Sequence, residues 1–344
     1  MRELESLPPL LLEWYGRCAR ILPWRSEPTP YRVWVSEVML QQTRVEAVRP
    51  YFLRFMDALP DIPALAACPE DVLLKLWEGL GYYSRARNLQ KAAQRVAGEY
   101  GGALPASFEA LRSLPGIGDY TAGAIASIAF GLPCPAVDGN VLRVLSRVTA
   151  SRRDIASPHV KKEMSQAIAA ILPDRPGDFN QALMELGACV CLPGGEPLCG
   201  DCPVAGVCRA RELGLVKELP VKAPKKPRRV EERTILVVRD EKGRIALRRR
   251  PSPGLLAGMW EPVNLFGRLD RGQVTDALLE MGLLVRSLQS LPDSRHIFSH
   301  VEWQMSGWEA KVTGTGKGEA GLRWVTGEEL SRDCPLPSAF RVYL

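Results

Sequence analysis

The sequence predicts a mainly α-helical first region and a smaller α+β second domain joined by a basic, proline-rich segment. Three observations carry this. Up to residue 215, apolar residues recur at spacings of three and four, with no strand-like alternation. Residues 216–230, VKELPVKAPKKPRRV, contain three prolines, six basic residues and no aromatic. Such a segment cannot form a core and reads as an extended linker, either a solvated spacer or a basic strap over a phosphate backbone. After Glu232 the hydrophobic period changes to two. A chain of 344 residues is long enough for two separate cores.

The helical runs are 10–22, 31–55, 72–80, 89–100, 108–114, 120–130, 141–148 and 160–172. Pro60, Pro63, Pro69, Gly101, Gly102, Pro115 and Pro173 punctuate them. In the second domain, 234–239 and 244–250 flank Asp240-Glu241-Lys242-Gly243, which reads as a hairpin turn. Further strands are expected at 301–312 and 322–325, with one helix at 274–281. The expected domains are therefore 1–215 and 231–344, with 216–230 between them.

Composition excludes several classes. The longest weakly polar stretch, 121–137, carries Pro133 and Pro135, so no membrane span is expected. Glu3 and Glu5 stand where a signal peptide needs basic residues, so a cytoplasmic protein is expected. The net charge of +6 is uneven: zero over 1–215, +5 over 216–230 and +1 beyond. Bulk charge alone is weak support for a nucleic-acid partner, and local motifs must decide. Five of nine cysteines lie between Cys189 and Cys208, which suggests a metal or cluster site and not a disulfide framework.

Four motifs carry chemistry. In Leu114-Pro115-Gly116-Ile117-Gly118-Asp119-Tyr120, two glycines between helices allow a tight turn, and the free N–H groups of the following helix can hold a phosphate. Asp138, in Val137-Asp138-Gly139-Asn140, is either a helix N-cap or a carboxylate held at an active site. Glu37 lies in the apolar run 33–43 and is either on a solvated helix edge or desolvated, with a raised pKa suited to proton donation. Cys191, Cys199, Cys202 and Cys208 are spaced x7, x2 and x5, which suits an iron–sulfur cluster or zinc.

Together these segments resemble the MutY-type adenine DNA glycosylases of the helix-hairpin-helix, endonuclease III-like superfamily. The matching stretches are LPWR (22–25), 33–48, 77–89, 114–131, 135–147, NQALMELGA (180–188) and the cysteine loop, with GLLAGMWE (254–261) and HIFSH (296–300) beyond the linker. The resemblance implies a helical glycosylase region, one [4Fe–4S] cluster and a Nudix-like second domain. The implied substrate is duplex DNA carrying adenine opposite 8-oxoguanine or guanine, and the protein is expected to act as a monomer. Glu37 would protonate the flipped-out adenine and Asp138 would stabilise the sugar cation, with Tyr120 and Asn140 in support. Gln42, Thr43, Leu80, Tyr82, Arg85, Gly116 and Gly118 would contact DNA or lesion, and Phe298, Ser299 and His300 would form the lesion-sensing loop. Cys191, Cys199, Cys202 and Cys208 would hold the cluster.

One feature departs from the catalytic Nudix pattern and one from the family. Its first cysteine gap is usually x6, and here it is x7; Cys189 would give x9, so Cys191 is retained. The candidate Nudix helix, QVTDALLEMGLLV, lacks the Arg-Glu…Glu-Glu array that holds a divalent metal, which implies a lesion reader and not a hydrolase. Three other functions compete. A bifunctional glycosylase-lyase needs a Lys where Tyr120 stands. A Nudix pyrophosphohydrolase needs the missing array. A non-enzymatic helix-hairpin-helix module leaves Glu37 and Asp138 unexplained.

Overall fold

The computed structural model describes residues 2–224, 227–252, 254–313 and 321–344. Lys225 and Lys226 of the expected linker lie outside the described residues. Two compact units form, and they do not follow a single cut in the chain. One comprises residues 1–67 and 88–224; the other comprises 68–87 and 225–344.

In chain order the helices begin with α1 (Arg2–Glu5), α2 (Leu7–Cys18), α3 (Pro23–Ser26), α4 (Pro30–Leu40), α5 (Val45–Ala58), α6 (Ile62–Ala67), α7 (Glu70–Leu76) and α8 (Ser84–Glu99). They continue with α9 (Phe108–Arg112), α10 (Asp119–Phe130), α11 (Gly139–Val148), α12 (Pro158–Ala169), α13 (Pro176–Cys189) and α14 (Arg209–Glu212). The expected run 31–55 is two helices, because the chain turns at Gln41–Arg44 and Gln42 takes a left-handed φ of 59°. Helix α13 escaped the periodicity because it is buried on most sides, from Pro176 to Gly187, and so shows no polar face. Its buried Phe179, Leu183 and Leu186 pack with Leu7 and Leu11 of α2 and Val141, Val144 and Leu145 of α11.

Part of the expected linker is not a free spacer. Leu219 is buried, its carbonyl accepts from Arg147 Nε at 2.9 Å, and the Val221 carbonyl accepts from the Ile155 N–H at 3.1 Å. At its other end the first strand already begins at Arg229.

The second unit is built on six strands: β1 (Arg229–Arg239), β2 (Ile245–Arg249), β3 (Trp260–Phe266), β4 (Leu284–Ile297), β5 (Val301–Thr313) and β6 (Leu322–Val325). Their order is β4-β5-β1-β3-β2-β6, with β1 and β5 parallel and the other neighbouring pairs antiparallel. Alternation along β1 sends Leu236 and Val238 to one face, where they meet Val274 and Leu278 of α15 (Arg271–Glu280). Ile235 and Val237 face the opposite layer with Trp303, Met305 and Phe340. The helix expected at 274–281 is α15, which begins three residues earlier at Arg271 and ends at Glu280. Strand β3 went unread because Trp260 to Asn264 are buried on both faces, and β4 because two register shifts interrupt its alternation. Helix α16 (Gly327–Asp333), also unread, follows with a capping box from Thr326 to Glu329.

Candidate active site

Glu37 sits near the end of α4, a helix started by Pro30 and by the Thr29 hydroxyl, which accepts the Arg32 N–H at 3.3 Å. The helix is buried from Tyr31 to Met39, so Glu37 is only 6% exposed. Burial pushes its carboxyl up to about 7; the Tyr120 hydrogen bond and the Arg25 charge pull it down, and Asp138 adds to the rise. The solvated-edge reading therefore fails for this residue.

Tyr120, the second residue of α10, donates its hydroxyl to Glu37 Oε2 at 2.5 Å. Burial, then the Glu37 and Asp138 charges, raise its pKa well above 10, so it remains a phenol. Gly116 supplies the turn before α10. Its φ is +77°, and a Cβ there would lie 2.7 Å from Asn88 Cβ. Gly118 is the N-cap of α10 in extended conformation, and a Cβ there would meet nothing within 4 Å. Neither backbone conformation nor packing within the chain therefore requires glycine at 118.

Asp138 is the N-cap of α11, and its half-buried carboxylate is held by three hydrogen bonds. Oδ1 accepts the N–H groups of Asn140 at 2.9 Å and Val141 at 2.8 Å, and Oδ2 accepts the Asn140 side-chain amide at 2.8 Å. Burial raises its pKa, and these bonds oppose the rise. Asn140 in turn accepts from Arg143 at 2.8 Å, and Arg143 also donates to the carbonyls of Gly187 at 2.7 Å and Cys191 at 2.8 Å. A continuous hydrogen-bonded path thus runs from Asp138 to the start of the cysteine loop.

Cys191, Cys199, Cys202 and Cys208 line one cavity, together with Arg147, Val190 and Leu198. Cys189 does not line it; its thiol lies 3.8 Å from Glu185. Burial pushes Cys202 up to about 11 and also raises Cys208. Arg147 approaches the Cys191 sulfur at 3.2 Å.

The lesion-side candidates divide between the units. Gln42 and Thr43 lie in the turn between α4 and α5. In the second unit, Tyr82 has a φ of 48°, and its hydroxyl lies 2.9 Å from that of Ser299. Leu80 is buried, whereas Tyr82 is 45% exposed. Arg85 is buried too, donating to the carbonyls of Leu80 at 3.1 Å and Gly81 at 3.2 Å, and so shapes this loop. Phe298 packs edge-on against Trp303, while Ser299 and His300 are exposed.

The chain is 38% identical to the adenine DNA glycosylase of Homo sapiens, over 99% of this chain and 74% of the human protein. It is 38% identical to that of Mus musculus, over 97% of this chain and 77% of the relative. The chain belongs to the adenine DNA glycosylase family. Family models place an HhH-GPD superfamily base excision DNA repair protein at residues 35–170 and a NUDIX domain at 234–344. A solved thermostable thymine-DNA glycosylase aligns with a TM-score of 0.56 and 26% identity, covering 62% of this chain and 98% of that one. As an adenine DNA glycosylase, the protein is an enzyme of base excision repair that removes adenine from DNA. Among the described residues, no helix is long and apolar enough to cross a membrane.

This adenine DNA glycosylase also has a buried ionic cluster that sequence reasoning did not single out. Glu185, 1% exposed, accepts from Arg20 at 2.6 and 2.9 Å and from Arg25 at 2.9 Å. Burial alone would raise its carboxyl, but the two guanidiniums outweigh burial and hold it at about 2. Arg25 is also among the charges acting on Glu37. The available signal was the pair of matching segments, LPWR and NQALMELGA; a link across 160 residues has no local signature.

Proposed function

We propose that the protein excises adenine paired with 8-oxoguanine, and with guanine less readily, in duplex DNA, without an efficient strand-nicking step. The observation that carries this is Glu37, a buried acid poised near neutral pH and bonded to a phenol, in the same unit as the Asp138 carboxylate. N-glycoside cleavage needs a proton donor on one side and an anion facing the developing cation on the other. Protonated Glu37 gives its proton to adenine N7. The C1′–N9 bonding electrons leave with the base, and Asp138 stabilises the positive sugar. A water adds at C1′ and returns a proton to Glu37. Asn140 orients Asp138, and Tyr120 holds Glu37. Schiff-base formation needs an amine, and a phenol at 120 has none.

The four cavity-lining cysteines fit a [4Fe–4S] cluster. Thiols pushed upward by burial need a nearby cation to ionise, and a cluster supplies one while cross-linking the loop. Tetrahedral zinc draws thiolates to about 2.3 Å from one point. Among the described residues, no three His, Cys, Asp or Glu groups are placed to hold a metal ion, so the shared pocket lining and family membership, not a preformed ligand geometry, support the cluster over zinc. Family membership and the helix-hairpin-helix turn support double-stranded DNA as the partner. In the second unit, Tyr82, Phe298, Ser299 and His300 would read the 8-oxoguanine, whose N7–H donates where guanine only accepts.

The deciding assay uses a duplex with one A:8-oxoguanine pair. Strand breakage only after alkali supports this reading; breakage without alkali makes the enzyme a lyase, and no product removes the substrate assignment.

A further inference from the structure

The loop carrying Ser299 is held from below by a set of residues on β1 and β5. The Phe298 carbonyl accepts from Arg228 Nε at 3.2 Å, and the His300 carbonyl accepts from the Arg229 N–H at 3.1 Å. Consecutive residues at the end of the basic segment thus bracket Ser299 on both sides. The Phe298 N–H closes the loop onto the Val301 carbonyl at 2.8 Å. The Phe298 ring stands edge-on to Trp303, with centroids 4.9 Å apart, and tilts against His296 at 4.6 Å.

Trp303 is fully buried, and its indole N–H is held by one carboxylate. Glu231 is its direct register partner in the parallel β1–β5 ladder, so the two side chains share a face. Glu231 Oε2 accepts the indole N–H at 3.1 Å and Arg233 at 2.6 Å, and its other oxygen pairs with Arg229. One carboxylate therefore fixes the ring beneath Phe298 and the residue whose N–H holds His300.

We propose that Glu231, acting through Trp303 and Arg229, is a positioning residue for lesion recognition. It sets the height and direction at which Ser299 meets the base opposite adenine. The inference rests on the reading of 298–300 as the lesion-sensing loop. Arg228 and Arg229, at the end of the linker, then serve to shape that loop.

The test compares single-turnover excision from A:8-oxoguanine and A:G duplexes by full-length, cluster-containing enzyme. Variants are Glu231→Ala, Glu231→Gln, Ser299→Ala and the Ser299→Ala/Glu231→Ala double. Glu231→Ala is expected to narrow the preference for A:8-oxoguanine about three- to tenfold, a fraction of one good base contact. Glu231→Gln keeps an acceptor for the indole N–H and is expected to recover most of that preference. The double variant is expected to be no less selective than Ser299→Ala alone, because both changes act through one contact. If Ser299→Ala narrows the preference and Glu231→Ala does not, the positioning role is wrong and the loop reading stands. Additive losses also overturn it, since Glu231 would then act elsewhere. If Ser299→Ala changes nothing, the loop reading fails and takes the inference with it. Should Glu231→Ala not fold, Trp303→Phe removes the same N–H and carries the same expectations.

Discussion

Tyr120 and Glu37 come from helices 83 residues apart in sequence and meet through a 2.5 Å hydrogen bond. The bond lowers the carboxyl pKa while burial raises it, and burial wins. The acid is thus left close to half-protonated at neutral pH, where a proton donor is most useful.

Glu37→Gln is expected to bind the mismatch and lose excision by at least about 10²–10⁴-fold, since an amide supplies no proton. Single-turnover rates measure this, with gel-shift affinity as the control; wild-type turnover would remove Glu37 from the mechanism.

The same substitution has a stability signature. A carboxyl raised in the folded state from 4.5 to about 7 favours folding while it is protonated. That contribution is complete below the unfolded value and is lost as pH rises through 7. The shift corresponds to about 3 kcal/mol. Glu37→Gln should therefore raise the melting temperature relative to wild type at pH 8 and leave it nearly unchanged at pH 4. An equal effect at both pH values would contradict a buried, titrating acid.

Tyr120→Phe removes the hydrogen bond that lowers the Glu37 pKa, so the alkaline limb of the excision rate should move to higher pH. A limb that stays put while the rate falls would mean the phenol acts on something other than Glu37.

Gly187 lies on the path from the cysteine loop to Asp138. A Cβ there would stand 2.5 Å from Asn140 Cβ and 3.1 Å from its backbone. Gly187→Ala should destabilise the fold by about 1–3 kcal/mol and depress excision at temperatures where the variant is still folded. Normal excision by a destabilised variant would show that Asn140 placement does not matter to the chemistry.

Anaerobically purified protein should carry about four irons per chain. Cys199→Ser should lower iron and soluble yield, and Cys189→Ser should not, because Cys189 lies off the cavity. Stoichiometric zinc with iron in ample supply would overturn the cluster assignment.

The two carboxylates proposed for catalysis were legible as candidates because each sits in a short contiguous motif: Glu37 in an apolar helix, and Asp138 one residue before α11. The turn glycines were legible for the same reason, although only Gly116 needs its conformation. Glu185 with Arg20 and Arg25 was not legible, because its partners are remote and the carboxyl looks like any helix-edge acid. Arg85 entered as a DNA contact through the family resemblance, and its hydrogen bonds to the Leu80 and Gly81 carbonyls had no signal in the sequence.

The second unit borrows residues 68–87 from the middle of the helical sequence. Arg87 donates to Glu70 at 2.7 Å and to the Ala257 carbonyl at 2.5 Å, and Asp71 pairs with Arg249 at 2.7 Å. The polypeptide therefore crosses between units three times, and only the last crossing is the linker. A premature stop codon at 224 would not release a finished glycosylase with an accessory removed. It would leave an internal excursion, Tyr82 included, stripped of the surface on which it rests. Gene fusion or loss at that boundary is correspondingly constrained, and a graft onto another scaffold would have to carry both stretches together.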